Sequence, residues 1–136
     1  MSFSFPYVRE PSKVGYIYRP KIPAKFSNKG KNLVIVGTLD SGSDVTIIPK
    51  GHAEFLELDL GGKTSPIGGI GGGKLECIKT PVTIKVGEFL LIRKTVMVPL
   101  KGEVYDVIFG RVPFFEEFDI TFKENSKRVV LNKIRH

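Results

Sequence analysis

Four acids in this 136-residue chain stand among apolar residues: Asp40 in "TLDSGSD", Asp59 in "LDLGG", Asp106 in "YDVIFG" and Asp119 in "FDITF". Only Asp40 is followed by a hydroxyl and a glycine, Ser41 and Gly42, and then by a second acid, Asp44. A buried, unpaired carboxylate is costly, so such a group is neutralised, hydrogen-bonded or used in chemistry. The Ser-Gly pair supplies backbone N–H and side-chain O–H groups that can hold a carboxylate in one plane.

Two further stretches interrupt the regular pattern. "PIGGIGGGK", residues 66–74, places five glycines in the six positions from Gly68 to Gly73. Gly68, Gly73 and Lys74 match most of a phosphate-binding loop. That motif requires Ser or Thr next and a helix to follow. Here Leu75 follows and "LECIKTPVTIKV" alternates as a strand, so the phosphate reading fails twice. What remains is a glycine-rich hairpin tip, either a plain surface turn or a loop that lets another backbone approach. The other stretch is "DVIFGRVPFF", where Gly110 and Arg111 directly follow a buried apolar run. A guanidinium beside the core seeks a carboxylate in bidentate geometry, and Asp44 is the expected partner. If partly buried, breaking such a pair by removing one partner would cost on the order of 3 kcal/mol or more.

The elements that must position these residues are nearly all of period two. "GYIYRPKIPAKF" and "NLVIVGTLD" flank the turn "SNKGK" as a hairpin. "DVTIIP" reads as a third strand, and "PKGHAEFLELDLGG" fits either a helical turn or a strand. "KLECIKTPVTIKVGEFLLIRKTVMVPL" reads as two or three antiparallel strands broken at Pro81 and Gly87-Glu88. "RVPFFEEF" is the best helix candidate, with Pro113 near its first turn and Glu116 and Glu117 facing outward. "DITFKENSKRVVLNKI" closes the chain as a hairpin turning at "KENSK". Many short strands with few helices predict an all-β, closed barrel-like domain.

Composition limits the setting. The chain is one domain, long enough to bury roughly two-thirds of its unfolded surface. No apolar run reaches the roughly 18 residues of a membrane span, and "MSFSFPYVRE" does not read as a signal peptide. The single Cys77 fits a reducing compartment, so a soluble cytoplasmic protein is expected, and one cysteine with His52 and His136 makes no zinc set. No metal and no cofactor are expected. The net charge of +7 raises nucleic acid as a partner. Without a recognition helix, finger spacing or stacking aromatics, a solvated basic surface is favoured over a nucleic-acid face.

Together these motifs resemble the retropepsins, the retroviral-type aspartic proteases and their cellular relatives. Leu39-Asp40-Ser41-Gly42 resembles the active-site loop, with Asp44 two residues beyond. Ile67, Gly68, Gly69, Ile70 and Gly71 resemble the flap tip, and "VIFGR" (107–111) resembles the strand-Gly-Arg leading into the family's short C-terminal helix. The resemblance covers about residues 16–131 and implies an acid-protease fold over 16–136. It has a flap hairpin and one short C-terminal helix, preceded by a 1–15 extension free to be flexible. Ser41 replaces the Thr of many members and keeps the hydroxyl. Met1 suggests a free-standing gene product.

The resemblance also implies the chemistry. Two carboxylates share one proton around a water that attacks a peptide bond. One chain supplies one Asp40, so the implied enzyme is a homodimeric aspartic endopeptidase with its site on the two-fold axis and an extended peptide as substrate. Activity is expected to favour mildly acidic pH. The active-site loop, the flap and "VVL" at 129–131 are expected to contribute more of the subunit contact than the basic terminus "KIRH". The alternative is a non-catalytic dimeric relative that binds peptide or nucleic acid through its cleft or basic surface.

Overall fold

The computed structural model describes residues 2–68, 73–101 and 106–136. Eleven strands and two short helices are described, in the order β1 (Ser2–Pro6), β2 (Val8–Ser12), β3 (Gly15–Arg19), β4 (Lys21–Asn28), β5 (Lys31–Leu39), α1 (Lys50–Phe55), β6 (Thr64–Gly68), β7 (Lys74–Val86), β8 (Phe89–Pro99), β9 (Ile108–Phe109), α2 (Phe114–Glu117), β10 (Phe118–Lys123) and β11 (Arg128–Lys133). The fold is all-β, as the period-two pattern predicts. Among the described residues no helix is long and apolar enough to cross a membrane.

The sheets are not a closed barrel, which corrects the expected architecture. A six-stranded sheet runs β6-β7-β4-β5-β9 with β8 also on β7, a three-stranded sheet runs β1-β11-β10, and β2 and β3 pair only with each other. Closure needs every edge strand to find a neighbour. Here the two larger sheets instead share a core that includes Phe26, Ile35, Phe109, Phe114, Phe118, Val129 and Leu131.

Each predicted hairpin appears, with adjustments at prolines and polar sites. β4 and β5 pair from Lys21–Thr38 to Asn28–Lys31, turning at Lys29–Gly30. Pro20, unable to donate to a ladder, separates β3 from β4, so the long run "GYIYRPKIPAKF" is two strands. Pro81 stays inside β7, opposite Thr95. "DVTIIP" forms only isolated bridges, Val45 with Val112 and Ile47 with both Met97 and Ile108, because it passes between strands rather than along one. The ambiguous stretch after Pro49 begins as α1, so the chain has a helix besides the one expected at the C-terminal end.

Two other expectations change. Residues 2–6 are not a loose extension: β1 pairs with β11 from Ser2–Asn132 to Pro6–Arg128. β11 lies between β1 and β10, so of "VVL" Val129 and Leu131 are fully buried in the chain's own core and Val130 is half-buried. Glu117 does not face outward. It is buried while Glu116 is exposed. Its carboxylate accepts from Lys94 at 2.8 Å and Lys133 at 2.9 Å, with His136 Nε2 at 3.4 Å. Lys94 on β8 and Lys133 on β11 hold the second acid inward.

Candidate active site

β5 carries the chain straight from the core to the catalytic candidate. Leu39 is 3% exposed, and Asp40, the next residue, is half-buried where the strand ends. The Leu39 N–H donates to the Pro20 carbonyl at 3.0 Å, and the Asp40 N–H donates to the Phe109 carbonyl at 3.0 Å. The second bond continues the parallel pairing of β5 with β9, where Leu39 lies opposite Phe109. Gly37 makes this approach possible, since a Cβ there would lie 2.5–2.7 Å from the Phe109 ring. That ring also stacks on Phe114 at 4.2 Å between centroids, which fixes β9 against α2.

The loop after Asp40 is folded by its own polar groups. The Gly42 N–H donates to Asp40 Oδ1 at 2.9 Å, and the Ser43 N–H to the Asp40 carbonyl at 3.2 Å. This is an Asx-type turn, which Asp forms readily because its short side chain reaches the backbone two residues on. One carboxylate oxygen is thereby oriented and the other left free. Ser41 and Gly42 are both exposed.

The segment from Gly110 to Val112 holds the loop from behind. The Arg111 N–H donates to the Ser43 carbonyl at 2.8 Å, and the Val112 N–H to the Asp44 carbonyl at 3.2 Å. Gly110 is required here: a Cβ would collide with the Val45 carbonyl oxygen and come within 2.7 Å of that of Ser43. Fully buried Thr46 completes the junction, its Oγ1 accepting from the Gly110 N–H at 3.1 Å and donating to the Val112 carbonyl at 2.8 Å. Sequence reading passed over Thr46. Its signal is a lone hydroxyl inside the apolar run "VTIIP", which has to find a partner when buried.

Asp44 and Arg111 come together, but not as the bidentate, partly buried pair expected. The contact is a single one, Nη1 to Oδ1 at 3.7 Å, and both side chains are largely exposed, at 62% for Arg111 and 89% for Asp44. The stronger contact of the guanidinium is Nε donating to the Ser41 carbonyl at 2.8 Å. Arg111 thus clamps the backbone of the Asp40 loop more than it pairs with a charge.

The flap candidate is the β6–β7 hairpin, registered from Thr64–Ile78 to Gly68–Lys74. Ile67 packs, with Val45, Leu75 and Ile108, against a small cluster of Ile47, Cys77 and Met97. The base of the hairpin therefore shares a core with the segment that follows the Asp40 loop. Gly68 is exposed, while Gly69, Ile70 and Gly71 lie outside the described residues. Burial pushes the Cys77 thiol up, with Glu76 adding to the effect. A cavity of about 660 Å³ lies elsewhere, lined by Asn28, Lys29, Glu57, Asp59, Thr83 and Arg93 at the opposite end of β5, and none of the site residues line it.

No family model matches the chain, and no curated protein matches it. Among solved structures it is similar to EIAV protease complexed with the inhibitor HBY-793, at 26% identity and a TM-score of 0.55, covering 68% of this chain and 82% of that one. It is also similar to a retropepsin-like aspartic protease from Rickettsia conorii, at 15% identity and a TM-score of 0.59, covering 98% of this chain and 93% of that one. The second likeness is one of fold, and it extends over nearly the whole of both chains. This chain has the all-β fold of the retropepsin-like aspartic proteases.

Proposed function

We propose that the chain is an aspartic endopeptidase of the retropepsin type, acting as a homodimer in which each copy contributes Asp40. The observation that carries this reading is the setting of Asp40. Its carboxylate stands at the end of β5, oriented by the Gly42 N–H at 2.9 Å and backed by β9, in a chain whose structural neighbours are proteases. One carboxylate can act as base or as acid but not as both at once, so two copies meet on a two-fold axis.

One proton is shared between the two Asp40 groups. The ionised carboxylate takes a proton from water as the water oxygen attacks the scissile carbonyl carbon, and the protonated partner hydrogen-bonds the carbonyl oxygen. The C–N bond then breaks as a proton passes to the leaving nitrogen. Ser41 presents its hydroxyl across the axis, and Gly42 leaves room for the substrate main chain. The hairpin tip from Ile67 and Gly68 through Gly69, Ile70 and Gly71 closes over an extended peptide held by main-chain hydrogen bonds. Gly110, Arg111 and Asp44 keep the loop in place behind these groups.

The test is Asp40→Asn. The variant is expected to sediment as the wild type does and to cleave no peptide, and pepstatin is expected to raise the melting temperature of the wild type but not of the variant. Residual cleavage by the purified variant at the best pH of the wild type would overturn the assignment. A wild-type rate that climbs steadily through pH 8 would point to a different reaction.

A further inference from the structure

β2 and β3 form an arm that leaves the body of the molecule. Among the described residues they pair only with each other, from Val8–Arg19 to Ser12–Gly15. A lone two-stranded hairpin is marginal in water. This one nevertheless carries large apolar side chains in the open: Val14 is 90% exposed, Tyr16 63% and Tyr18 47%. Two cations lie against it, the Arg9 guanidinium 4.4 Å over the Tyr16 ring and Lys127 Nζ 5.8 Å from the Tyr18 ring.

The direction of the arm is set at its base. Glu10 binds Lys21 at 2.6 Å and Arg19 at 2.9 Å, so β2 is tied to the start of β4 across the foot of the hairpin. That foot is at the Asp40 end of the molecule. β4 runs antiparallel to β5 with Lys21 opposite Thr38, and the Pro20 carbonyl accepts the N–H of Leu39, the residue before Asp40. The turn at Lys13–Val14 is six to seven residues earlier, a reach of about 20 Å for an extended strand. The end of the sheet from which the arm rises is the end at which a second Asp40 has to stand.

We infer that the β2–β3 arm grips a second copy of this chain, and that Val14, Tyr16 and Tyr18 are covered by that copy. This rests on the two-chain reading of the site, which already brings a second body to within a few ångströms of Asp40. The chemistry suits a protein surface. Tyrosine and arginine are enriched at the buried centres of such contacts. The arm is a second candidate contact beside β11, both of whose edges are paired within its own chain.

The experiment uses the full chain as wild type, as the double variant Tyr16→Ser/Tyr18→Ser, and as Val14→Asp, a change at a turn too open to affect folding. Sedimentation equilibrium and peptidase activity are followed over a dilution series, with melting temperature read on each. Both variants are expected to weaken the dimer about tenfold or more, with activity per chain recovering at high protein concentration. A wild-type dissociation constant in both variants would overturn the arm while leaving the two-chain site standing. A dimer of unchanged strength with a raised KM would also overturn it, placing peptide substrate on the arm instead. A wild type that is monomeric and fully active at every concentration would overturn the two-chain reading itself.

Discussion

Arg111 shows how exposure decides what a charged residue contributes. In water an ion pair at 3.7 Å is worth less than about 1 kcal/mol, whereas the bond from Nε to the Ser41 carbonyl fixes the backbone next to Asp40. Arg111→Lys keeps the charge and loses the planar fork. It is expected to move the urea midpoint little while lowering kcat severalfold, and an unchanged kcat would show that the clamp is idle. Glu117 is the opposite case. Burial alone would raise its carboxyl, but hydrogen bonds from Lys94 and Lys133 and their charges outweigh that and bring it to about 2 from 4.5. A carboxylate lowered in the folded state stabilises fully above its unfolded value, and that stabilisation, up to about 3 kcal/mol, is lost as pH falls from about 5 towards 2. Thermal unfolding across that range is expected to show the loss in the wild type and a flatter profile in Glu117→Gln. The variant is expected to be less stable at pH 7, where the two lysines are left facing a neutral amide.

Among the elements, hairpins were the most legible in the sequence, because alternation and turn residues are local. β4–β5, β7–β8 and β10–β11 all follow their patterns. What the pattern hid was set by contacts distant in sequence. "VTIIP" alternates poorly yet is bridged to Met97, Ile108 and Val112, and Thr46 is satisfied by residues more than sixty positions away. Asp40, Gly110 and Arg111 stood out because their residue types clash with their apolar surroundings. Their true partners, Phe109 and Ser41 carbonyls, are backbone groups that no residue type announces. The flap hairpin has its own test at Gly68, whose Cβ position is open space in the free chain. Gly68→Val is expected to leave the melting temperature within about 1 °C, since surface changes in open space cost little. If the tip closes on substrate, the same change is expected to lower kcat/KM by an order of magnitude or more. Equal losses of activity and stability would make the hairpin a structural turn only.

At the scale of the whole molecule, all-β class was readable and barrel closure was not, because strand edges are decided by which sheets meet rather than by any one segment. The N-terminal strand was not legible from its own residues. With five residues and a proline they look unable to hold a place alone, but β11 offers them an open edge to pair with. That pairing has a consequence for the order of the chain itself. Ser2 lies directly across from Asn132, so the two ends of the polypeptide are neighbouring threads of one sheet. Adjacent antiparallel strands bring Cα atoms to about 5 Å, a gap that a linker of a few residues spans. The domain is therefore topologically close to a ring. A circular permutant that joins the present ends and begins at Ser126, in the β10–β11 turn, should reach the same fold, with the Asp40 loop untouched and new termini far along the chain from it.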